Sequence, residues 1–251
     1  MRLTVLGSSA SYAGPGQACA GHLVQSGSTS VLLDCGNGVI ANLGRVMEPG
    51  DLDAVFITHG HLDHFADLYA LQALLRYAPG GPSGRLELAL APGLIERILA
   101  PLSSRGKDEF LEAFQVVDLV AGHTVEVGGL AVTPALVDHA DPTFALLVED
   151  GPIRLCYTAD TKLGDRVMAV AAGANLLLAE ATLPQEYAGQ APHMTASQAG
   201  TLAYQAGALQ LVLTHLWPTN DRESAQYEAT ATFGSHVHVA TEFDVFDIGP
   251  Q

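Results

Sequence analysis

The sequence predicts an α/β chain of two β-sheets packed together, with helices on the outside. Three observations carry this. Short apolar runs bounded by turn residues recur from end to end. Stretches with apolar residues at helical spacing interrupt them at intervals. Two strand-like segments, VFITH at 55–59 and LVLTH at 211–215, echo each other and hint at an internal duplication.

Taken in order, LTVL (3–6), HLVQS (22–26), SVLLD (30–34) and AVFI (54–57) read as strands. FADLYALQALLRYA (65–78) keeps a helical period and stops at Pro79-Gly80, so one helix is expected there. RLELAL (85–90) reads as a strand and LIERILAPL (94–102) as a helix. From 114 to 158 the pattern is mostly strand: FQVVDLV, HTVEV, LAVTPALVDH, FALLVED and IRLCYTA. Strand and helix then alternate: VMAVAAG helix, NLLLAE strand, ASQAGTLAYQAG helix, LQLVLTH strand and RESAQYEATATF helix. Thr195 and Gln198 form a T-x-x-Q capping box, which sets the start of the second of these helices near residue 196.

Composition narrows the function classes. The 251 residues are 48% hydrophobic and 15% charged, enough apolar content for a full core. The net charge is −16, with 11 Lys and Arg against 27 Asp and Glu, and no basic cluster. Such a surface repels a long nucleic acid over most of its area. A small anion is still acceptable where local positive charge outweighs the global field. Three cysteines, Cys19, Cys35 and Cys156, without a C-x-x-C pair, fit reduced thiols. The four-residue apolar run after Arg2 is too short for a signal-peptide core, and no apolar run is long enough to span a bilayer. A cytoplasmic location without membrane contact is therefore expected.

The chemistry concentrates in ITHGHLDHFAD (57–67), where three histidines and two aspartates follow the apolar run AVFI. Residues i and i+2 of an extended segment point the same way, so His59 and His61 can grip one metal ion. Asp63 and His64, at the turn into the helix, can face a second. Imidazole and carboxylate suit Zn²⁺, with Mn²⁺ or iron as alternatives. The competing reading is a polar loop that happens to be rich in histidine.

This H-x-H-x-D-H pattern resembles the signature of the metallo-β-lactamase fold superfamily. The resemblance implies an αββα four-layer sandwich with a one- or two-metal site at the sheet edge, and further ligands downstream. His139 at the end of LAVTPALVDH, Asp160 after LCYTA and His215 at the end of LVLTH match. By similarity, His59, His61 and His139 bind one metal, Asp63, His64 and His215 the other, and Asp160 bridges them. Ligands spread from 59 to 215 must converge, so one domain over 1–251 is expected. Residues 7–39, YTADT (157–161) and the segment 180–218 are similar to the ribonuclease Z and phosphodiesterase branch, including small bacterial atypical class II cyclic-nucleotide phosphodiesterases. Members that process tRNA carry a long arm between the third histidine ligand and the bridging aspartate. Here those residues are 21 positions apart (160 − 139), filled by two expected strands. The resemblance thus implies a dinuclear phosphodiesterase acting on a small phosphodiester such as a 3′,5′-cyclic nucleotide, possible as a homodimer. The alternatives are a ribonuclease on short RNA, a lactone, thioester or β-lactam hydrolase, and a non-catalytic metal-binding or ligand-sensing domain.

Among the supporting residues, Asp63 and His193 are the catalytic candidates. His193 lies just outside the helix that starts near 196, where it can contact a phosphoryl oxygen or protonate the leaving oxygen. Asp34, after SVLL, is expected to orient the histidine loop or to be a plain turn residue. Asp67 can steady His64 or simply supply helix-N-terminal charge. Glu180 can support the site or accept a hydrogen bond at a strand end. Ser8 and Ser9 sit in a Gly-Ser loop whose backbone N–H groups can cradle a phosphate. Trp217 can stack on a base or pack in the core. His22, His123, His236 and His238 read as structural or exposed.

Overall fold

The computed structural model describes residues 1–79 and 84–249. Six strands come first: β1 (Arg2–Gly7), β2 (Gly21–Ser26), β3 (Thr29–Leu33), β4 (Ala54–Ile57), β5 (Leu86–Leu90) and β6 (Phe114–Asp118). Seven more follow: β7 (Val125–Val127), β8 (Leu130–Val137), β9 (Thr143–Asp150), β10 (Ile153–Tyr157), β11 (Leu176–Glu180), β12 (Gln210–Thr214) and β13 (Val237–Val239). A last strand, β14 (Val245–Asp247), returns to pair antiparallel with β1. Two seven-stranded sheets result, ordered β14-β1-β2-β3-β4-β5-β6 and β13-β12-β11-β10-β9-β8-β7.

The two sheets share a plan. In the first, β1, β2 and β3 pair antiparallel and β3 through β6 run parallel. In the second, β8, β9 and β10 pair antiparallel and β10 through β13 run parallel. The duplication hinted at by VFITH and LVLTH thus exists in strand direction. The echoed strands are not counterparts, however: β4 is the first strand after the antiparallel part of its sheet, whereas β12 is the second. Parallel strands need both faces covered, so they read as continuous apolar runs. In β11, Leu176 and Leu178 face the core between the sheets, while Leu177 and Ala179 face the outer helices.

Eight helices flank the sheets among the described residues: α1 (Val39–Leu43), α2 (Leu62–Phe65), α3 (Leu68–Tyr77), α4 (Leu94–Leu99), α5 (Ser104–Ala113), α6 (Asp165–Ala171), α7 (Ala196–Ala206) and α8 (Arg222–Phe233). Helices outside two packed sheets make the expected four-layer α/β sandwich. Close packing of α7 on α8 depends on Gly200, where an added Cβ would lie 2.4 Å from the Ala229 carbonyl oxygen. Three expectations need correction. The helix expected over 65–78 is two helices, α2 and α3, because the chain breaks at Ala66-Asp67 and the Asp67 carboxylate accepts the Ile40 N–H at 3.0 Å. Gly80 of the expected stop lies outside the described residues. Helix α5 was not expected; it buries only Phe110 and Ala113, too sparse a pattern to register, although Ser103 caps it by accepting the Gly106 N–H. Strand β14 also escaped, being three half-exposed residues that gain strand character from β1. No described helix is long and apolar enough to cross a membrane.

The 20 positions between His139 and Asp160 hold β9 and β10, a hairpin closed by Gly151-Pro152. No arm projects there.

Candidate metal centre

The seven ligand-type residues lie in the segments that follow strand ends. His59 follows β4. His61 is the extended N-cap of α2, and Asp63 and His64 occupy its first turn. His139 lies two residues past β8, Asp160 three past β10, and His215 directly after β12. Four of the five described non-glycine residues with positive φ are here: Ser11, Asp34, Ala159 and His215. Such backbone is held only where the surroundings over-determine it, and it clusters at functional sites.

Donor atoms of His59, His61, His139 and Asp160 lie within 4.8 Å of one another, as do those of Asp63, His64 and His215. The Asp160 carboxylate faces both groups. Its Oδ2 is 3.5 Å from His59 and 3.8 Å from His139, and its Oδ1 is 3.4 Å from His64 and 3.3 Å from His215. A third overlapping group joins Asp160, His193 and His215.

The chemistry of this donor set fits cations. Ring nitrogens converge at hydrogen-bond distance: His59 Nε2 to His61 Nδ1 at 3.0 Å, His64 Nε2 to His215 Nε2 at 3.0 Å, and His139 Nε2 to His61 Nδ1 at 3.3 Å. Several of the same rings are anchored from behind through Nδ1. His59 meets Thr58 Oγ1 at 3.0 Å, His64 meets Asp34 Oδ2 at 2.8 Å, and His139 meets the Pro192 carbonyl at 3.1 Å. His215 meets Thr182 Oγ1 at 2.9 Å. A histidine that donates its rear N–H presents its front lone pair, the usual support for a metal ligand. Burial holds His59 down at about 4, hence neutral. His64 shows the pull toward positive charge: burial opposes protonation, yet Asp160 and Asp34 raise it well above its ordinary value. A proton or a metal cation meets that demand.

Two buried carboxylates organise the rear. Asp34 accepts from Thr58 N–H (2.8 Å), Thr58 O–H (2.9 Å), His64 and the Tyr157 hydroxyl (2.9 Å). Glu180 accepts from Thr161 N–H (2.7 Å), Thr182 N–H (3.2 Å), Thr182 O–H (2.7 Å) and His193 Nδ1 (2.8 Å). Burial alone would lower the His193 pKa, but the Glu180 carboxylate raises it to about 9. Glu180 thus favours the protonated form of the His193 ring. Thr195 begins α7 with both halves of the expected capping box.

Other expectations fare differently. Ser8 and Ser9 make no anion cradle: both backbone N–H groups donate to the Ala18 carbonyl, at 3.1 and 3.0 Å. The neighbouring Ser11 N–H donates instead to Asp63 Oδ2 at 2.6 Å, a role the sequence did not suggest. Asp67 does not touch His64; its carboxylate serves the start of α1. Trp217 is half-buried and faces Tyr187, away from the main cores. His22 is buried, with its pKa lowered by burial to about 3, and packs edge-on to Tyr157, whereas His123, His236 and His238 are exposed. All three cysteines are buried and free. Thr58, Thr182 and Tyr157, which complete the rear of the site, were missed.

A family model described as the beta-lactamase superfamily domain matches residues 29–216. An uncharacterised protein of Mycobacterium leprae (strain TN) is 34% identical over 254 residues, covering 99% of this chain and 89% of its own. The probable metallo-hydrolase YhfI of Bacillus subtilis (strain 168) is 30% identical over 251 residues, covering 96% of this chain and 97% of its own. The crystal structure of YhfI, a metallo-beta-lactamase fold protein, superposes with a TM-score of 0.88 at 27% identity, covering 98% of each chain. A ribonuclease Z of Bradyrhizobium sp. (strain ORS 278) is 28% identical over 302 residues, covering 96% of this chain and 98% of its own.

Proposed function

The chain belongs to the beta-lactamase superfamily, and from that footing we propose that it is a dinuclear metal-dependent phosphodiesterase for small phosphodiesters, with 3′,5′-cyclic nucleotides foremost. The observation that carries this reading is Asp160, one carboxylate whose two oxygens face two separate groups of ligand-type side chains. In the proposal His59, His61 and His139 hold one cation, Asp63, His64 and His215 the other, and Asp160 both, within one domain over 1–251. Zinc suits these donors best, with manganese or iron as alternatives. Bound divalent cations at such a site acidify water to a nucleophile and neutralise phosphoryl charge.

The remaining work falls to the chain's own side chains. Ser11 N–H holds Asp63 Oδ2 and so sets the orientation of that carboxylate. His193 presents a protonated ring toward His139 and His215, at centroid distances of 4.8 and 6.1 Å. From there it donates to a phosphoryl oxygen or passes its proton to the departing alkoxide. Glu180 fixes that ring by its Nδ1 and keeps the proton on it.

Similarity to a ribonuclease Z supports a second reading, cleavage of RNA. The net charge of −16 and the closed β9–β10 hairpin favour the small substrate. The test is elemental analysis of the purified protein followed by a panel of cyclic AMP, bis(p-nitrophenyl) phosphate, a pre-tRNA, a lactone and a β-lactam. Close to two metals per chain and turnover of the first two substrates are expected. Full activity with one metal would sink the dinuclear reading. Efficient 3′ cutting of pre-tRNA would reverse the ranking, and turnover of the lactone or β-lactam alone would move the protein out of phosphodiester chemistry.

A further inference from the structure

The ends of β11 and β12 serve two places. On one side they deliver Glu180 and His215 to the metal centre. On the other, the residues that follow line a cavity of about 560 Å³, closed by the 3-10 turn Gln185–Tyr187 and the start of α8. That volume is in the range of small-molecule sites. None of the seven ligand-type residues lines it, yet the chain links it to them: Trp217 is two residues past His215, and the loop bearing Tyr187 runs on into His193.

Two features define what fits. The first is aromatic: the Tyr187 and Trp217 rings stand 6.2 Å apart at 68°. The second is charge: Glu186, Asp221 and Glu228 line the cavity, with no Lys, Arg or His. Asp221 is already committed, since it caps α8 by accepting from Glu223 N–H, Ser224 N–H and the Ser224 hydroxyl. No hydrogen bond or ion pair engages the Glu186 and Glu228 carboxylates among the described residues; the carbonyls alone accept from side chains, which leaves two carboxylates as open acceptors. A flat π-system stacks on such a wall whatever its substituents. The open acceptors then discriminate by position along its edge: adenine offers them a donor at its C6 amine, whereas hypoxanthine presents an oxo acceptor there and its donor, N1–H, lies one position along.

We infer that this cavity is a base subsite that takes an amino-bearing purine such as adenine and rejects its oxo analogue hypoxanthine. It rests on the phosphodiester reading only for what the base is attached to. Trp217 or Tyr187 stacks on the ring, and Glu186 or Glu228 accepts from the amine.

Trp217 is the only tryptophan in the chain, so its fluorescence reports on the cavity without turnover. The intact protein is titrated with adenosine and with inosine, by fluorescence and by calorimetry. Adenosine should bind at least about tenfold more tightly than inosine, because an acceptor set opposite C6 pairs with the amine but meets a repelling oxo group in inosine, whose N1–H lies one position along the edge. The double variant Glu186→Gln/Glu228→Gln, whose amides both donate and accept, should lose the preference. Tyr187→Ala, at an exposed position, should weaken adenosine about tenfold. Equal binding of the two nucleosides, or silence by both methods, overturns the inference. The readout separates the two claims. Adenosine preference without hydrolysis of any phosphodiester would sink the phosphodiesterase and keep the subsite. Equal kcat/KM for cyclic AMP and cyclic IMP would keep the enzyme and sink the subsite.

Discussion

Asp34, past β3, and Glu180, at the end of β11, do matching work in the two sheets. Each is a fully buried carboxylate that accepts four hydrogen bonds. Each holds one histidine directly and a second through a threonine hydroxyl. Asp34 holds His64 directly and His59 through Thr58; Glu180 holds His193 directly and His215 through Thr182. The difference lies in the histidine held directly. His64 is fully buried among the converging nitrogens, whereas His193 keeps part of its surface open and joins only the third, overlapping group with Asp160 and His215. One arm therefore fixes two ligand-type rings. The other fixes one such ring and the ring proposed as proton donor, so under the proposed function the same local device is divided between binding and chemistry.

The harshest way to break this pairing is Asp34→Ala, which strips partners from His64, Thr58 and Tyr157 at once. A loss of about 3–5 kcal/mol in denaturant unfolding is expected, as for other buried charge pairs cut on one side. Metal affinity should fall roughly 10–100-fold. If metal content and stability both survive, Asp34 is a turn residue and the comparison fails.

On the other arm, His193→Ala should keep its metal complement and lose turnover by on the order of 10²–10⁴. Loss of a metal in that variant would make His193 a ligand and erase the asymmetry between the arms.

Glu180→Gln sharpens the point through pH. His193 is protonated below its raised pKa of about 9, so activity that needs the imidazolium is lost as pH rises through that value. Bound divalent cations move the limb to lower pH. Replacing Glu180 removes the anion that favours the imidazolium, so the basic limb of the kcat profile should shift further to the acid side. An unmoved limb would mean that another group is titrating.

The smallest and cleanest contrast uses the threonines. Thr58→Val and Thr182→Val each leave a buried carboxylate and a histidine short of a partner, at a cost of about 1–3 kcal/mol. Thr214→Val should stay within about 0.5 kcal/mol of the parent, because the buried Thr214 hydroxyl has no partner to lose. Equal effects at all three positions in thermal unfolding would show that the relay through Thr58 and Thr182 has no energetic weight.

Thr214 also shows where the sequence stops being informative. VFITH and LVLTH look alike, and both place a histidine at the site. Thr58 bonds to the ring of the residue after it, but Thr214 does not; the matching contact to His215 comes from Thr182, two residues past the neighbouring strand β11. Sequence adjacency cannot reveal a partner supplied across a sheet. The dense run from His59 to His64 was legible because a single turn concentrates it, and the strands were legible because double-sided burial makes them uniformly apolar. His139, Asp160 and His215 entered only through resemblance. The role of Ser11 was hidden because it is a backbone N–H in a strained loop, which any residue type could supply. Asp67 and the Ser8-Ser9 pair were plausible by position, and lost their roles to backbone groups nearer at hand.

The pairing of β14 with β1 bears on how the molecule is made. The first sheet depends on residues 245–247 to cover its β1 edge, in register Arg2 to Asp247 with those side chains 2.8 Å apart. During synthesis the strands β1 to β6 emerge first, and their β1 edge stays bare until the far end of the chain is translated. An uncovered strand edge is a template for any passing strand. Nascent copies are therefore most vulnerable to pairing with one another along β1, and slowing translation ahead of residue 245 should lower the yield of folded protein.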